Sequence, residues 1–217
     1  MIQKSYRMMS FVPRWGITPR MHQSNIAEHS FYTALYVSQL CRLLKVVPSH
    51  ALDAVNYALR HDALEIWTSD IPGPAKRDLI SPDTLALYQS DFGKAMGDEY
   101  VEAMRDQKVH GHLGIRYRIS DLVKVADVLD QCFYLYSELL MGNTFVDRIY
   151  TRALGRLTRK IDDLRSCATD EEQGNWLARV LDLLGRTVTD ELKKMAAEGA
   201  WLPVAGEDKA DGSVGRG

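Results

Sequence analysis

The stretch ISDLVKVADVLDQCFYLYSELLMG, residues 119–142, is the most apolar helical segment of the chain and decides its fold class. Gly142 and Asn143 provide its C-terminal stop, because both residue types tolerate the left-handed backbone that ends a helix. One acid interrupts the apolar run, since Asp127 lies among valines, an alanine and a leucine. A buried carboxylate without a partner costs several kcal/mol. The sequence therefore predicts that Asp127 pairs either with a divalent cation or with Lys124.

The helical period continues on both sides of this stretch, with apolar residues at three- and four-residue steps. Asn25 and Glu28 form a capping box that predicts where the first helix begins. No alternating strand pattern of useful length occurs, and 105–114 has the polar, glycine-containing composition of a loop. The sequence predicts an all-α bundle of about six main helices. Besides 119–142, these are expected at 25–45, 49–67, 84–105, 144–166 and 170–198.

Composition limits the classes of function. The 217 residues are 46% hydrophobic and 26% charged, which is ordinary for a globular chain. We expect a single domain over 1–202 and a disordered, glycine-rich tail over 203–217. The net charge of −2 argues against a nucleic-acid partner. No run approaches the ~20 apolar residues of a membrane span, and three scattered cysteines form no disulfide framework, so we expect a cytoplasmic protein without a membrane partner.

The segment RHDALEIWTSDIPGP, residues 60–74, places His61 and Asp62 side by side. Two neighbours on one helix supply two ligands and cannot close a metal site alone. The candidates for the remaining ligands are His29, on the apolar face of the first helix, and Asp127. Each has an ordinary explanation when taken singly, as a hydrogen-bonded core histidine or a salt-bridged aspartate. Their joint occurrence on separate long helices favours a metal site.

The order H…HD…D on a helical bundle resembles the signature of the HD-domain metal-dependent phosphohydrolases. Four further strings sharpen the resemblance: RW (14–15), NIAEHS (25–30), HDALEIWTSDIPGPAK (61–76) and VKVADVLD (123–130). They look like the corresponding blocks of the YfbR-type 5′-deoxynucleotidases, whose close relatives include phage deoxynucleotide phosphohydrolases. The blocks span roughly residues 10–140, and the later helices match in character only.

The resemblance implies a divalent metal ion held by His29, His61, Asp62 and Asp127. Two imidazoles and two carboxylates balance its charge and suit Co²⁺, Mn²⁺, Zn²⁺ or Ni²⁺ better than Ca²⁺. Such an ion polarises a phosphoryl group and lowers the pKa of a bound water. The resemblance assigns catalysis to Glu65, whose ordinary alternative is an exposed helix residue. Nearby anions raise the pKa of this carboxyl and a metal lowers it, and the sequence does not decide between them.

Five further residues are predicted to bind substrate. Arg14 can fork onto phosphate oxygens, and Trp15 beside it can wall the sugar or the base. The resemblance implies that Trp15 excludes a 2′-hydroxyl and that Asp70 recognises the deoxyribose, where its carboxylate can accept the 3′-hydroxyl. We also expect Thr68 to support this loop and Lys76 to approach the phosphate. The ordinary alternatives are a surface arginine beside a core tryptophan and a turn aspartate.

The predicted reaction is hydrolysis of a deoxynucleoside 5′-monophosphate to the deoxynucleoside and phosphate, with a small-molecule deoxynucleotide as substrate. One alternative is a dNTP triphosphohydrolase, for example dATP-directed, which releases tripolyphosphate. It needs further cations, for which the possible donors are Arg14, Arg20, Lys76 and Arg77. A non-catalytic nucleotide-binding HD module is the second alternative, opposed by the complete ligand set and Glu65. The resemblance also implies a homodimer.

Overall fold

Helices make up most of the fold. The computed structural model describes residues 4–96 and 103–198 of the chain. Short 3₁₀ turns at His112–Gly114 and Thr144–Val146 join some of its elements. The main elements, in chain order, are a 3₁₀ helix at Lys4–Phe11, α1 (Ile26–Leu43), α2 (Pro48–Ala58), α3 (Glu65–Thr68), α4 (Gly73–Leu79), α5 (Pro82–Met96), β1 (Lys108–His110), β2 (Arg116–Arg118), α6 (Ile119–Leu140), α7 (Asp147–Arg165) and α8 (Glu171–Glu198).

The apolar helix α6 is the centre of the bundle, where it packs against α1, α2, α7 and α8. Leu122 and Leu135 of α6 are fully buried. Burying one such side chain contributes roughly 1.5–3 kcal/mol. A smaller apolar cluster, which includes Ile26 and Phe92, packs the 3₁₀ helix at the N-terminus and α5 beside α1. The predicted all-α class is confirmed.

The helix ends follow their sequence signals. The side chain of Asn25 accepts a hydrogen bond from the Glu28 amide at 3.0 Å, so the predicted start of α1 is confirmed. Gly142 adopts φ 92° just after α6. Its amide donates to the Leu139 carbonyl at 2.9 Å, which closes the helix end as predicted.

The prediction of one helix over 49–67 is wrong. Helix α2 ends at Ala58, a run of turns follows, and α3 begins at Glu65. Within the turns, hydrogen bonds join residues three apart, such as the Ala63 amide to the Arg60 carbonyl at 2.9 Å. Adjacent residues on a regular α-helix point about 100° apart. Because the helix is broken here, the side chains of His61 and Asp62 are not held to this 100° separation.

The predicted loop over 105–114 contains a strand, which the sequence analysis missed. Strands β1 and β2 pair antiparallel, with Val109 opposite Tyr117. Both of these side chains are fully buried, so the hairpin closes one end of the core. Three residues per strand are too few for an alternating pattern to be recognised.

The remaining predicted boundaries hold only in part. The helix predicted over 84–105 begins earlier, at Pro82, because proline suits the first helical turn. Part of that prediction, 97–102, and the predicted tail over 203–217 lie outside the described residues. The single domain over 1–202 stays a prediction. Across the described ranges, no helix combines the length and the apolar content that crossing a bilayer requires.

Candidate metal centre and substrate site

Three chain segments bring histidine and aspartate side chains to one point. One ligand atom each from His29 on α1, His61 in the turns after α2 and Asp127 on α6 lie within 4.8 Å of one another. Oδ2 of Asp62 lies 3.5 Å from Nε2 of His29 and 3.4 Å from Nε2 of His61. The structure thus brings together all four residues that the sequence analysis named as ligands.

Hydrogen bonds aim both imidazoles at this point. Nδ1 of His29 lies 2.6 Å from Oδ2 of Asp130, and Nδ1 of His61 lies 2.7 Å from the Ala58 carbonyl. These partners favour a proton on each Nδ1, which leaves the Nε2 lone pairs facing the centre. Both Nε2 atoms are buried without a hydrogen-bond partner in the described part of the chain. Since buried polar atoms are nearly always paired, these two fit a metal ion.

The charges around His29 favour a cation. Burial and Arg14 lower the pKa of His29, but three surrounding carboxylates outweigh them and raise it to about 10 in the metal-free chain. The three belong to Asp127, Asp130 and Asp62. A divalent ion brings more positive charge than a proton to the same position, so the donor set suits it.

Asp127 contacts one of the two partners that the sequence left open, Lys124, and faces the candidate site of the other, a metal ion. Its Oδ2 accepts a hydrogen bond from the Lys124 ammonium group, while its Oδ1 lies 3.4 Å from Nε2 of His29. Burial acts to raise the pKa of Asp127, but Lys124 and His29 hold it well below the usual range. The carboxylate is therefore ionised, with one oxygen on the lysine and the other facing the metal centre.

Glu65 is buried at the start of α3, with 7% of its surface exposed, so the alternative of an exposed glutamate is wrong. Burial, then the charges of Asp62 and Asp70, raise the pKa of Glu65 to about 8 in the metal-free chain. Lys76 opposes this shift, with its Nζ 3.7 Å from a Glu65 carboxylate oxygen. A carboxyl with such a pKa can hold a proton near neutral pH.

A cleft adjoins this carboxyl and the metal centre. Its cavity volume is about 50 Å³, and its walls include Glu65, Lys76, His61 and Asp62. The cleft opens one side of the centre to solvent. Arg14 is not part of its described lining.

Arg14 is buried, so the alternative of a surface arginine is wrong. Its Nη1 lies 3.9 Å from Oδ2 of Asp62 and has no hydrogen-bond partner among the described residues. The next residue, Trp15, has the left-handed φ of 60° and donates its amide to Oδ2 of Asp70 at 3.0 Å. Asp70 thus anchors the Trp15 backbone with one oxygen, which leaves the other for a ligand.

The last predicted substrate contacts are less direct. The Thr68 hydroxyl donates to the Ser69 carbonyl at 3.1 Å, where Ser69 has φ 60°. Thr68 therefore supports the loop before Asp70. Arg20 donates to the Arg14 carbonyl, and the side chain of Arg77 lies outside the described residues. The substrate roles of Arg14, Trp15, Thr68, Asp70 and Lys76 stay predictions.

A helical bundle that holds a buried cluster of two histidines and two aspartates, with a raised-pKa glutamate beside it, defines an HD-type metal-dependent phosphohydrolase. Comparison with known families shows which family of these phosphohydrolases the chain belongs to. Residues 3–170 match the family described as 5′-deoxynucleotidase YfbR-like, and the chain belongs to this family.

Relatives and solved structures are consistent with this placement. A dATP triphosphohydrolase of Salmonella phage PMBT28 is 30% identical over 132 residues, covering 58% of this chain and 61% of the phage protein. The Escherichia coli 5′-deoxynucleotidase YfbR is 30% identical over 146 residues, covering 62% of this chain and 71% of YfbR. An HD phosphohydrolase of cyanophage S-2L, solved with dA and one catalytic Zn²⁺ ion, has 20% identity and a TM-score of 0.63 over 89% of this chain and 98% of its own.

Proposed function

We propose that this chain is a metal-dependent 5′-deoxynucleotidase, which hydrolyses deoxynucleoside 5′-monophosphates to deoxynucleosides and phosphate. The observation that carries the proposal is the meeting of His29, His61 and Asp127 within 4.8 Å, with two buried imidazole nitrogens lacking a described partner. Family membership over residues 3–170 supports the substrate class. The donor set suits Co²⁺, Mn²⁺, Zn²⁺ or Ni²⁺.

The proposal gives each side chain a task. His29, His61, Asp62 and Asp127 hold the ion, which when bound supplies Lewis acidity toward the phosphoryl group and its attacking water. Glu65 is the proposed general acid/base: its carboxyl gives a proton to the 5′-oxygen as the P–O bond breaks and recovers one from the attacking water. Its raised pKa in the metal-free chain supports this role.

The substrate is held at its two ends in this proposal. The Arg14 guanidinium, buried near the ligand Asp62, can bind phosphate oxygens. Trp15 lines the deoxyribose, and the Asp70 oxygen that does not hold the Trp15 amide accepts the 3′-hydroxyl. Lys76 lies close to Glu65 in the wall of the cleft, which supports a role in approaching the phosphate.

A substrate panel tests the proposal. Purified protein is given deoxynucleoside monophosphates, deoxynucleoside triphosphates and ribonucleoside monophosphates, each with Co²⁺, Mn²⁺, Zn²⁺ or Ni²⁺. Inorganic phosphate, tripolyphosphate and nucleoside are quantified separately. We expect phosphate from deoxynucleoside monophosphates in preference to the ribonucleotides. Absence of phosphate release from any deoxynucleotide with every metal would refute the proposal.

Two aspartates of one helix form a matched pair of variants. Asp127→Asn alters the metal centre, whereas Asp121→Asn alters a carboxylate paired with Arg118 at the start of α6. We expect activity to fall at least 100-fold in the first variant and to stay within twofold in the second. Equal activities would contradict the assignment of the metal centre.

The same panel separates the monophosphatase from a triphosphohydrolase. The phage relative named for dATP makes dATP the informative triphosphate. Two of the four cations named for a longer phosphate chain already face carboxylates, since Arg14 lies near Asp62 and Lys76 near Glu65. This arrangement favours a short phosphate chain. Tripolyphosphate as the main product from dATP would instead favour the alternative.

The remaining proposals concern the whole protein. We propose a cytoplasmic homodimer with one domain over 1–202 and no nucleic-acid partner. Exposed apolar side chains such as Phe11, Ile17 and Phe145 are available for an interface. Sedimentation equilibrium is expected to give twice the 24.6 kDa chain mass. A concentration-independent monomer would contradict the dimer.

A further inference from the structure

Glu138 is a fully buried carboxylate that the proposed reaction does not use. It lies near the C-terminal end of α6, at the opposite end of that helix from Ile119. Burial acts to raise its pKa, but hydrogen bonds from Asn143, two backbone amides and Tyr134 lower it. The side chain is therefore a buried anion that is stabilised by neutral donors.

These donors tie α6 to the loop between the N-terminal 3₁₀ helix and α1. The amides of Met21 and His22 donate to the two Glu138 oxygens at 2.7 Å each. Asn143 donates through one Nδ2 to Glu138 at 2.7 Å and to the Pro19 carbonyl at 2.8 Å. We call the side chains of Tyr134, Glu138 and Asn143 the Glu138 clamp, because all three hold this loop against α6.

Tyr134 links the clamp to the predicted sugar wall. Its hydroxyl donates to the His22 carbonyl at 2.7 Å and lies 3.3 Å from a Glu138 oxygen. Its ring stacks on Trp15 with 5.6 Å between centroids and 5° between planes. The same loop is closed by a hydrogen bond from the Arg14 amide to the Ser24 carbonyl at 2.9 Å. Fixing Met21 and His22 therefore also fixes the segment that carries Arg14 and Trp15.

We propose that Glu138 is a positioning residue for substrate binding, which acts through the loop it holds by keeping Trp15 and Arg14 in place. This inference rests on the proposed function. The proposed metal ligands lie on α1, on the turns after α2 and on the earlier part of α6, and none of the hydrogen bonds or ring contacts described for the clamp reaches them. Loss of the clamp should therefore weaken substrate binding without weakening metal binding.

The chemistry of the carboxylate makes Glu138→Gln the informative variant. Each Glu138 oxygen accepts one backbone N–H, so an amide nitrogen in place of either oxygen faces a donor and loses that bond. Size is unchanged. Tyr134→Phe removes only the hydroxyl and keeps the ring stack, and Glu172→Gln on the exposed start of α8 is the control for the chemical change.

The first measurement does not depend on activity. Hydrogen–deuterium exchange of the metal-loaded proteins is followed in peptides covering residues 14–24, α1 and α6. We expect at least tenfold faster exchange in Glu138→Gln at 14–24 only, a smaller increase in Tyr134→Phe and none in Glu172→Gln. Unchanged exchange at 14–24 would overturn the clamp, whether or not the chain is a nucleotidase.

Steady-state kinetics with the deoxynucleoside monophosphate and its ribonucleotide counterpart test the positioning role. In Glu138→Gln we expect KM for the deoxynucleotide to rise about tenfold with kcat within threefold, and the deoxy-over-ribo preference to fall. Metal affinity, titrated directly, is expected to stay within twofold. Faster exchange with an unchanged KM would overturn the positioning role. Failure of the proposed function would differ, because the wild-type protein itself would then release no phosphate.

Discussion

Removing the carboxylate of Asp130 should weaken metal binding although Asp130 is not a proposed ligand. Its Oδ2 lies 2.6 Å from Nδ1 of His29, and its side chain is 14% exposed. In this position it fixes the imidazole ring and keeps the proton on Nδ1. The only other described polar side chain near Nδ1 is Thr33, whose hydroxyl lies 3.5 Å away and is a weaker partner.

The magnitude follows from this geometry. Loss of a carboxylate behind a metal-bound histidine typically costs 10- to 100-fold in metal affinity, or about 1.4–2.7 kcal/mol. Asp130→Ala removes both the charge and the hydrogen bond, so we expect a loss in the upper part of this range. Asp130→Asn keeps an oxygen that can accept from Nδ1 and loses only the charge, so we expect a loss near tenfold.

The assay is a competition between the metal-free protein and a chromophoric chelator for Zn²⁺, with circular dichroism as the check on folding. Asp121→Asn, on the same helix but paired with Arg118, is the matched control and should bind as the wild type does. A folded Asp130→Ala variant with affinity within twofold of the wild type would refute the reasoning. So would an Asp130→Asn variant weaker than Asp130→Ala.

Three further outcomes follow from the structure. Lys76→Met removes a positive charge that lowers the pKa of Glu65. The limb of the pH–kcat/KM profile that reports Glu65 should therefore move to higher pH. An unmoved limb would show that another group titrates. The lowered pKa of Glu138 means that its stabilising effect is present above the unfolded pKa of about 4.3 and is lost as pH falls through the lower folded value. Urea unfolding between pH 3 and pH 6 should therefore show a steeper acid loss in the wild type than in Glu138→Gln. Gly142→Ala meets no atom within 4 Å but keeps φ 92°, so it should cost about 1 kcal/mol in urea unfolding through backbone strain alone.

Helical periodicity predicted the bundle because its signals are local. The apolar face of α1, its Asn25 cap and the stop at Gly142 each depend on a few neighbouring residues. The break between α2 and α3 was missed because no glycine or proline lies in 59–64. There, tertiary contacts of His61 and Asp62 with His29 outweigh helix propensity, and such contacts are not visible in a local pattern.

The candidate site was predictable where motif spacing carries it and not where partners are distant in sequence. The ligand set followed from the order of histidines and aspartates on separate helices. Arg14 is buried, which its local sequence does not indicate. The hydrogen bond from the Trp15 amide to Asp70 joins residues 55 positions apart. Likewise, the contact of Asp130 with His29 spans 101 positions. Only the folded chain reveals these pairs.

One signal for the hidden partners was nevertheless present within α6. Asp127, Asp130, Tyr134 and Glu138 follow one another at steps of three and four, which places them on one face of the helix. In the structure, Asp130 reaches His29 on α1, while Tyr134 and Glu138 reach the loop before α1. A polar stripe on the most apolar helix needs a polar partner at every step. The partners it has are the metal centre at one end and the loop carrying Arg14 and Trp15 at the other, so a single helix sets the distance between the proposed metal ion and the proposed sugar wall.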